Sequence, residues 1–125
     1  MASQRILVVE DNEDVRGLFR LALALDGFDV LEARTGYEAI RLYDSYHPDL
    51  VVLDLWLPGI DGFSVHQEIV AHGGGRRTPI VIVTSSRQDL SSLEASCILR
   101  KPVEPDELVR TVRRCLVMGN PTAGA

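Results

Sequence analysis

Leu50-Val51-Val52-Leu53-Asp54-Leu55-Trp56-Leu57-Pro58-Gly59-Ile60-Asp61-Gly62 is the stretch on which the fold turns. The four apolar residues Leu50 to Leu53 read as a fully buried strand. The strand ends on Asp54, and an unpaired charge next to a buried run is expensive. Pro58, Gly59 and Gly62 mark a loop. A helix through Val65, Ile69 and Val70 is expected after it.

The same alternation of strand and helix extends in both directions. Upstream, Ile6-Leu7-Val8-Val9 carries no polar alternation, so both its faces are expected to be covered, as in a parallel sheet. Glu10-Asp11-Asn12 ends that strand and offers N-cap side chains. Val15, Leu18, Phe19 and Ala22 predict one apolar helix stripe, with Gly27 as C-cap. Phe28-Asp29-Val30-Leu31-Glu32-Ala33 is a weaker strand whose polar residues suggest a sheet edge. Thr35-Gly36-Tyr37-Glu38 reads as a capping box. It opens a helix carrying Ala39, Ile40 and Tyr43 that stops before Pro48.

Downstream, Gly73-Gly74-Gly75 breaks the chain, and Ile80-Val81-Ile82-Val83 forms a fourth strand ending at Thr84. Residues 85–96 are polar and serine-rich, with room for a short helix only, over 88–95. Cys97-Ile98-Leu99 is a fifth strand, ending at Lys101-Pro102. A last helix starts near Pro105 and shows Leu108, Val109, Val112 and Leu116. Strand–helix alternation repeated five times predicts an α/β fold with a parallel sheet and helices on both faces.

Length and composition agree with this. The 125 residues make one domain, expected over 1–118, with 119–125 as a flexible tail or linker remnant. Apolar residues are 46% and charged residues 25%, an ordinary globular balance. A formal net charge of −5 disfavours direct nucleic-acid binding. No apolar run reaches membrane-spanning length, and the N-terminus has no signal-peptide layout. Two cysteines, Cys97 and Cys115, make no disulfide framework and read as buried thiols. The expected location is a reducing compartment, the cytoplasm. His47, His66 and His72 are widely separated and read as surface residues, as do Arg76 and Arg77.

In an open parallel sheet, ligands bind outside the carboxyl ends of the strands. Those ends carry Glu10 and Asp11, Asp54, Thr84 and Ser85, and Lys101 and Pro102. Three carboxylates brought together repel one another unless a cation joins them. Mg²⁺, which takes carboxylate oxygens and keeps several waters, suits such a site. Asp54 is a candidate nucleophile toward phosphorus, giving an acyl phosphate. Lys101 and Thr84 are candidates to meet phosphoryl oxygens.

With Val8-Val9-Glu10-Asp11-Asn12, Asp54 to Gly62, Val83-Thr84-Ser85 and Lys101-Pro102 in this order, the chain resembles the receiver domain of two-component response regulators. The resemblance spans residues 4 to 117. It implies a flavodoxin-like, doubly wound, five-stranded sheet in the order 2-1-3-4-5. It implies phosphorylation of Asp54 by a histidine kinase or a histidine phosphotransfer protein. It implies Mg²⁺ held by Asp11, Asp54, the main-chain carbonyl of Trp56, and Glu10 through water. It also implies a cis peptide before Pro102, and an output made by binding a downstream protein or a second copy of the chain.

The sequence departs from the family in two places. The position of the usual switch aromatic falls on Ile98, which has no ring to swing. Only 17 positions separate Thr84 from Lys101, so the fourth helix is expected to be short or displaced. Trp56, two residues after Asp54, occupies a position that influences phosphate lifetime in such domains. Its indole is expected to shield an acyl phosphate and slow its hydrolysis. A phosphatase of the haloacid dehalogenase type would need a second Asp at position 56 and a cap domain. A phosphate-independent interaction module is the alternative that Ile98 and the short fourth segment favour. A transcription factor would need an effector domain beyond these 125 residues, so the chain is expected to be a stand-alone regulator, a phosphorelay intermediate or a receiver cut from a longer protein.

Overall fold

The computed structural model of the protein describes residues 3–72, 77–85, 90 and 97–118. Its described elements alternate as the sequence predicts as far as β4, and β5 and a last helix follow: β1 (Arg5–Val9), α1 (Glu13–Leu25), β2 (Asp29–Ala33), α2 (Gly36–Tyr46), β3 (Leu50–Asp54), α3 (Gly62–His72), β4 (Ile80–Thr84), β5 (Cys97–Arg100) and α4 (Pro105–Met118). The strands form one parallel sheet in the order β2-β1-β3-β4-β5. The fold is α/β and flavodoxin-like. The expected glycine break at 73–75, the short helix at 88–95 apart from the buried Leu90, and the tail at 119–125 lie outside the described residues.

The unbroken apolar runs follow from the two covered faces. Leu7, Val9, Val51, Leu53, Ile80 and Ile82 point to one side and pack with Ala39 and Tyr43 of α2 and Val65 and Ile69 of α3. Ile6, Val8, Leu50, Val52, Val81 and Val83 point to the other and pack with Phe19 and Leu23 of α1 and Leu108 and Val112 of α4. Each fully buried aliphatic side chain stabilises the fold by about 1.5–3 kcal/mol relative to exposure. β2 lies at one edge, as its polar residues suggest, and β5 at the other.

Local signals set the helix ends. Asn12 caps α1, its Oδ1 accepting from the Val15 amide at 3.0 Å. Thr35 caps α2, accepting from the Glu38 amide at 3.2 Å. Asp26, and not Gly27, is the C-cap of α1; Gly27 follows it at φ +95°, where a residue without Cβ is favoured.

Three side-chain expectations are corrected. The buried stripe of α1 is Arg16, Phe19 and Leu23, whereas Leu18 is exposed. The helix is rotated because the Arg16 guanidinium finds partners inside, the Glu10 carbonyl and Glu32. His66 is buried: with Gly62, Val65 and Ile69 it completes the i, i+3, i+4, i+7 face of α3, and Val70 is exposed instead. Cys115 is buried as expected, but Cys97, on an edge strand, is only half-buried. His47, His72 and Arg77 are exposed. Among the described residues, no helix is long and apolar enough to cross a membrane.

Candidate functional site

Parallel strands all end on the same side, so the residues after β1, β3, β4 and β5 meet there. Glu10 continues β1, its amide donating to the Ala33 carbonyl at 3.0 Å. Asp54 is the last residue of β3 and pairs with Val83 of β4. Thr84 ends β4 and is fully buried; Ser85 follows it and is exposed. Lys101 is tied to that strand by its own amide, which donates to the Thr84 carbonyl at 2.8 Å. The Lys101–Pro102 peptide is cis, as the resemblance implies.

Glu10, Asp11 and Asp54 come together, with one carboxylate oxygen from each lying within 4.8 Å of the others. Glu10 is 2% exposed and Asp54 4%, while Asp11 faces solvent. Lys101 Nζ donates to Glu10 Oε1 at 2.6 Å and to Asp54 Oδ2 at 3.3 Å. Burial disfavours the Lys101 ammonium, but Glu10 and Asp54 outweigh it and hold the group above its ordinary range. The remaining carboxylate oxygens also have partners. The Trp56 amide donates to Asp54 Oδ1 at 3.0 Å and the Asn12 amide to Glu10 Oε2 at 3.1 Å.

The loop after β3 is shaped by Gly62. A Cβ there would stand 2.3 Å from Leu55 Cα and 2.6 Å from the Asp54 carbonyl oxygen, so only glycine lets α3 start this close to the site. The Gly62 amide donates to the Leu55 carbonyl at 3.0 Å. The Trp56 side chain stands outside, 55% exposed. Ile98 is half-buried on β5 and packs with the α2–α3 side of the core.

Among the residues singled out from the sequence, Glu10, Asp11, Asp54 and Lys101 converge directly, with Thr84 beside them. Arg16 escaped the sequence reading. It is buried, and its Nη1 donates to the Glu10 carbonyl at 3.1 Å, anchoring the chain where β1 enters the site. An arginine in an amphipathic helix carries no local mark of such a long reach inward.

A family model for the response regulator receiver domain matches residues 6–113. The chain belongs to the receiver domain family of response regulators. This receiver is 36% identical over 126 residues to the response regulator MprA of Mycolicibacterium vanbaalenii, covering 97% of this chain and 54% of that protein. It is 36% identical over 115 residues to the DNA-binding response regulator MtrA of Mycobacterium leprae, covering 88% of this chain and 50% of that protein. The chain thus spans about half the length, or less, of the curated relatives it matches. Among solved structures, the receiver domain of the sensor histidine kinase PA1611 from Pseudomonas aeruginosa PAO1 aligns with a TM-score of 0.84 and 31% identity. That match covers 93% of this chain and 99% of that one, whose active site cleft holds a coordinated magnesium ion. Receivers are signalling modules of two-component systems, so the receiver expectation and the strand order both hold.

Proposed function

We propose that this receiver takes a phosphoryl group onto Asp54 from the phosphohistidine of a histidine kinase or histidine phosphotransfer protein, and that the new charge switches binding of a downstream protein. The observation that carries this reading is the pairing of one ammonium, Lys101, with two buried carboxylates, Glu10 and Asp54, at the ends of three strands. In the reaction, an Asp54 oxygen attacks phosphorus as the P–N bond to the donor imidazole breaks. The bond's electron pair leaves with that nitrogen, and Asp54 becomes an acyl phosphate. Lys101 is the charge that meets a phosphoryl oxygen, and the Thr84 hydroxyl meets another.

Three carboxylates within reach of one another are a hard-oxygen donor set that fits Mg²⁺. Asp11, Asp54 and the Trp56 main-chain carbonyl would hold the ion, with Glu10 acting through water. When bound, it neutralises charge on the phosphoryl oxygens. The protein's own part is to position its groups, for its phosphorylation and later dephosphorylation alike. Output is binding, so the module is not assigned as an enzyme with an external product. Ser85, Ile98 and the cis Pro102 are the proposed coupling positions. Residues 1–118 form the receiver, with 119–125 as tail, in a cytoplasmic setting. With a net charge of −5, no nucleic-acid contact is assigned to this domain. A second copy of the chain is a further candidate partner.

The test is intact mass after incubation with acetyl phosphate and Mg²⁺, beside Asp54→Asn and a metal-free control. One phosphoryl adduct that needs both Asp54 and Mg²⁺ is expected. A folded protein that stays unmodified, also with a phosphohistidine donor, would shift the assignment to a phosphate-independent module. Ile98, which brings no ring to β5, fits that second reading.

A further inference from the structure

Cys97 and Cys115 meet across the back of the sheet. Cys97 opens β5, the strand at the sheet edge, and is half-buried. Cys115 lies on α4 and is 3% exposed. Their sulfurs are 3.2 Å apart, with the Cys115 thiol directed at Cys97. Arg114, one residue along α4 and exposed, directs Nη2 to Cys97 Sγ at 3.0 Å. The two thiols are thus already paired, and one of them has a cation against it.

We infer that Cys97 and Cys115 form a peroxide-oxidised dithiol site, in which a hydroperoxide converts the pair to a disulfide that locks β5 to α4. The division of labour follows from the surroundings. Cys97 is the more accessible sulfur, half-buried on the edge strand with the exposed Arg114 guanidinium against it. Cys115 is buried with its sulfur 3.2 Å from Cys97, which places it to resolve an oxidised Cys97, and burial, which pushes its thiol up to about 12, keeps it from being the first to react. Cys97 sulfur attacks one peroxide oxygen and the O–O bond breaks. The leaving oxygen takes a proton and departs as water, or as an alcohol from an organic hydroperoxide. Cys97 is then a sulfenic acid. Cys115 sulfur attacks Cys97 sulfur, its proton leaves with the displaced hydroxyl as water, and the S–S bond closes. Two thiols are oxidised by two electrons in all, and the hydroperoxide takes both.

The sulfurs need to approach by only about 1 Å to reach bonding distance. β5 favours this movement, because among the described strands it pairs with β4 alone, at the sheet edge. Cys97 pairs with Val81 near the start of β4, at the opposite end of β5 from Lys101. The site is therefore separate from the carboxylate cluster, and its test does not depend on phosphorylation of Asp54. Cysteine pairs of this kind act as reversible sensors in compartments where structural disulfides do not persist.

The test treats the whole protein with hydrogen peroxide, quenches it, and alkylates it in denaturant with N-ethylmaleimide before intact mass measurement. Oxidised wild type is expected as a monomer about 2 Da lighter with no added maleimide, and dithiothreitol restores both reactive thiols. Its Tm is expected to rise by roughly 5 °C or more as the 97–115 loop closes. Cys115→Ala is expected to stop at a Cys97 sulfenic acid that dimedone captures, whereas Cys97→Ser takes up no dimedone. Arg114→Gln, at an exposed position, is expected to slow oxidation roughly tenfold. Wild type that keeps two alkylatable thiols, or that bridges between two chains instead, overturns the proposal whether or not the cysteine variants fold.

Discussion

The Lys101 ammonium lies 2.6 Å from the Glu10 carboxylate, joining residues 91 positions apart in the chain. Glu10 is almost wholly buried, and Lys101 is the charge that balances it, with Asp54 taking a longer second contact. A lysine shared by two buried carboxylates is a structural fastener of the sheet's carboxyl edge. It is also the group best placed to transfer its contact to an incoming anion.

Lys101→Ala therefore carries two expected effects. It leaves Glu10 buried beside Asp54 without a cation, and lowers unfolding free energy by about 1–3 kcal/mol, less than a fully buried pair because Lys101 is partly exposed. Urea unfolding measures this. Saturating Mg²⁺ is expected to recover part of the loss, since it supplies charge to the same carboxylates.

Trp56 is the chain's only tryptophan, and its amide bonds Asp54. Mg²⁺ titration is expected to change its fluorescence in a saturable way. Asp11→Asn is expected to weaken the apparent affinity roughly tenfold or more by removing a charged oxygen donor. An unchanged titration in that variant would remove Asp11 from the metal site.

The indole of Trp56, two residues after Asp54, is exposed, and the shielding role expected of it is open to a direct test. In Trp56→Asn, the half-life of phosphorylated protein is expected to shorten roughly severalfold as water gains access. Loss of radiolabel or of the mass adduct with time gives the rate. An equal or longer half-life sinks the shielding role.

Gly62→Ala is expected to be among the costlier single-methyl changes in this domain, at about 2–4 kcal/mol. The added carbon meets Leu55 Cα and the Asp54 carbonyl, backbone that cannot step aside without moving Asp54. Thermal unfolding and Mg²⁺ affinity are both expected to fall.

His72 closes α3 onto α2, its ring nitrogens 2.9 Å from Asp44 and 3.0 Å from Glu68. Its pKa is raised, first by the hydrogen bond to Asp44 and then by that to Glu68. A raised folded pKa contributes stability that is complete below the unfolded value, about 6.5, and lost as pH rises through the folded value. His72→Gln is expected to lower Tm below about pH 6.5 and to match wild type once pH exceeds the raised pKa. A Tm difference independent of pH would point to packing instead.

What the sequence by itself determined was local or periodic. Unbroken runs such as Leu50–Leu53 declared strands covered on both faces, and Thr35 and Asn12 declared helix starts, because these rest on neighbours a few residues apart. Listing which residues follow each strand also located Glu10, Asp11, Asp54, Thr84 and Lys101 at one edge, since parallel strands must end together. Only the tertiary structure decided which of these groups touch. Lys101 settles on Glu10 more closely than on Asp54, Arg16 turns α1 inward to reach the Glu10 carbonyl, His66 joins the core, and Cys97 finds Cys115. The physical reason is one of range. Side-chain periodicity records which face of an element is buried, but a charge or thiol pairs with whatever the packing of distant elements brings within a few ångströms.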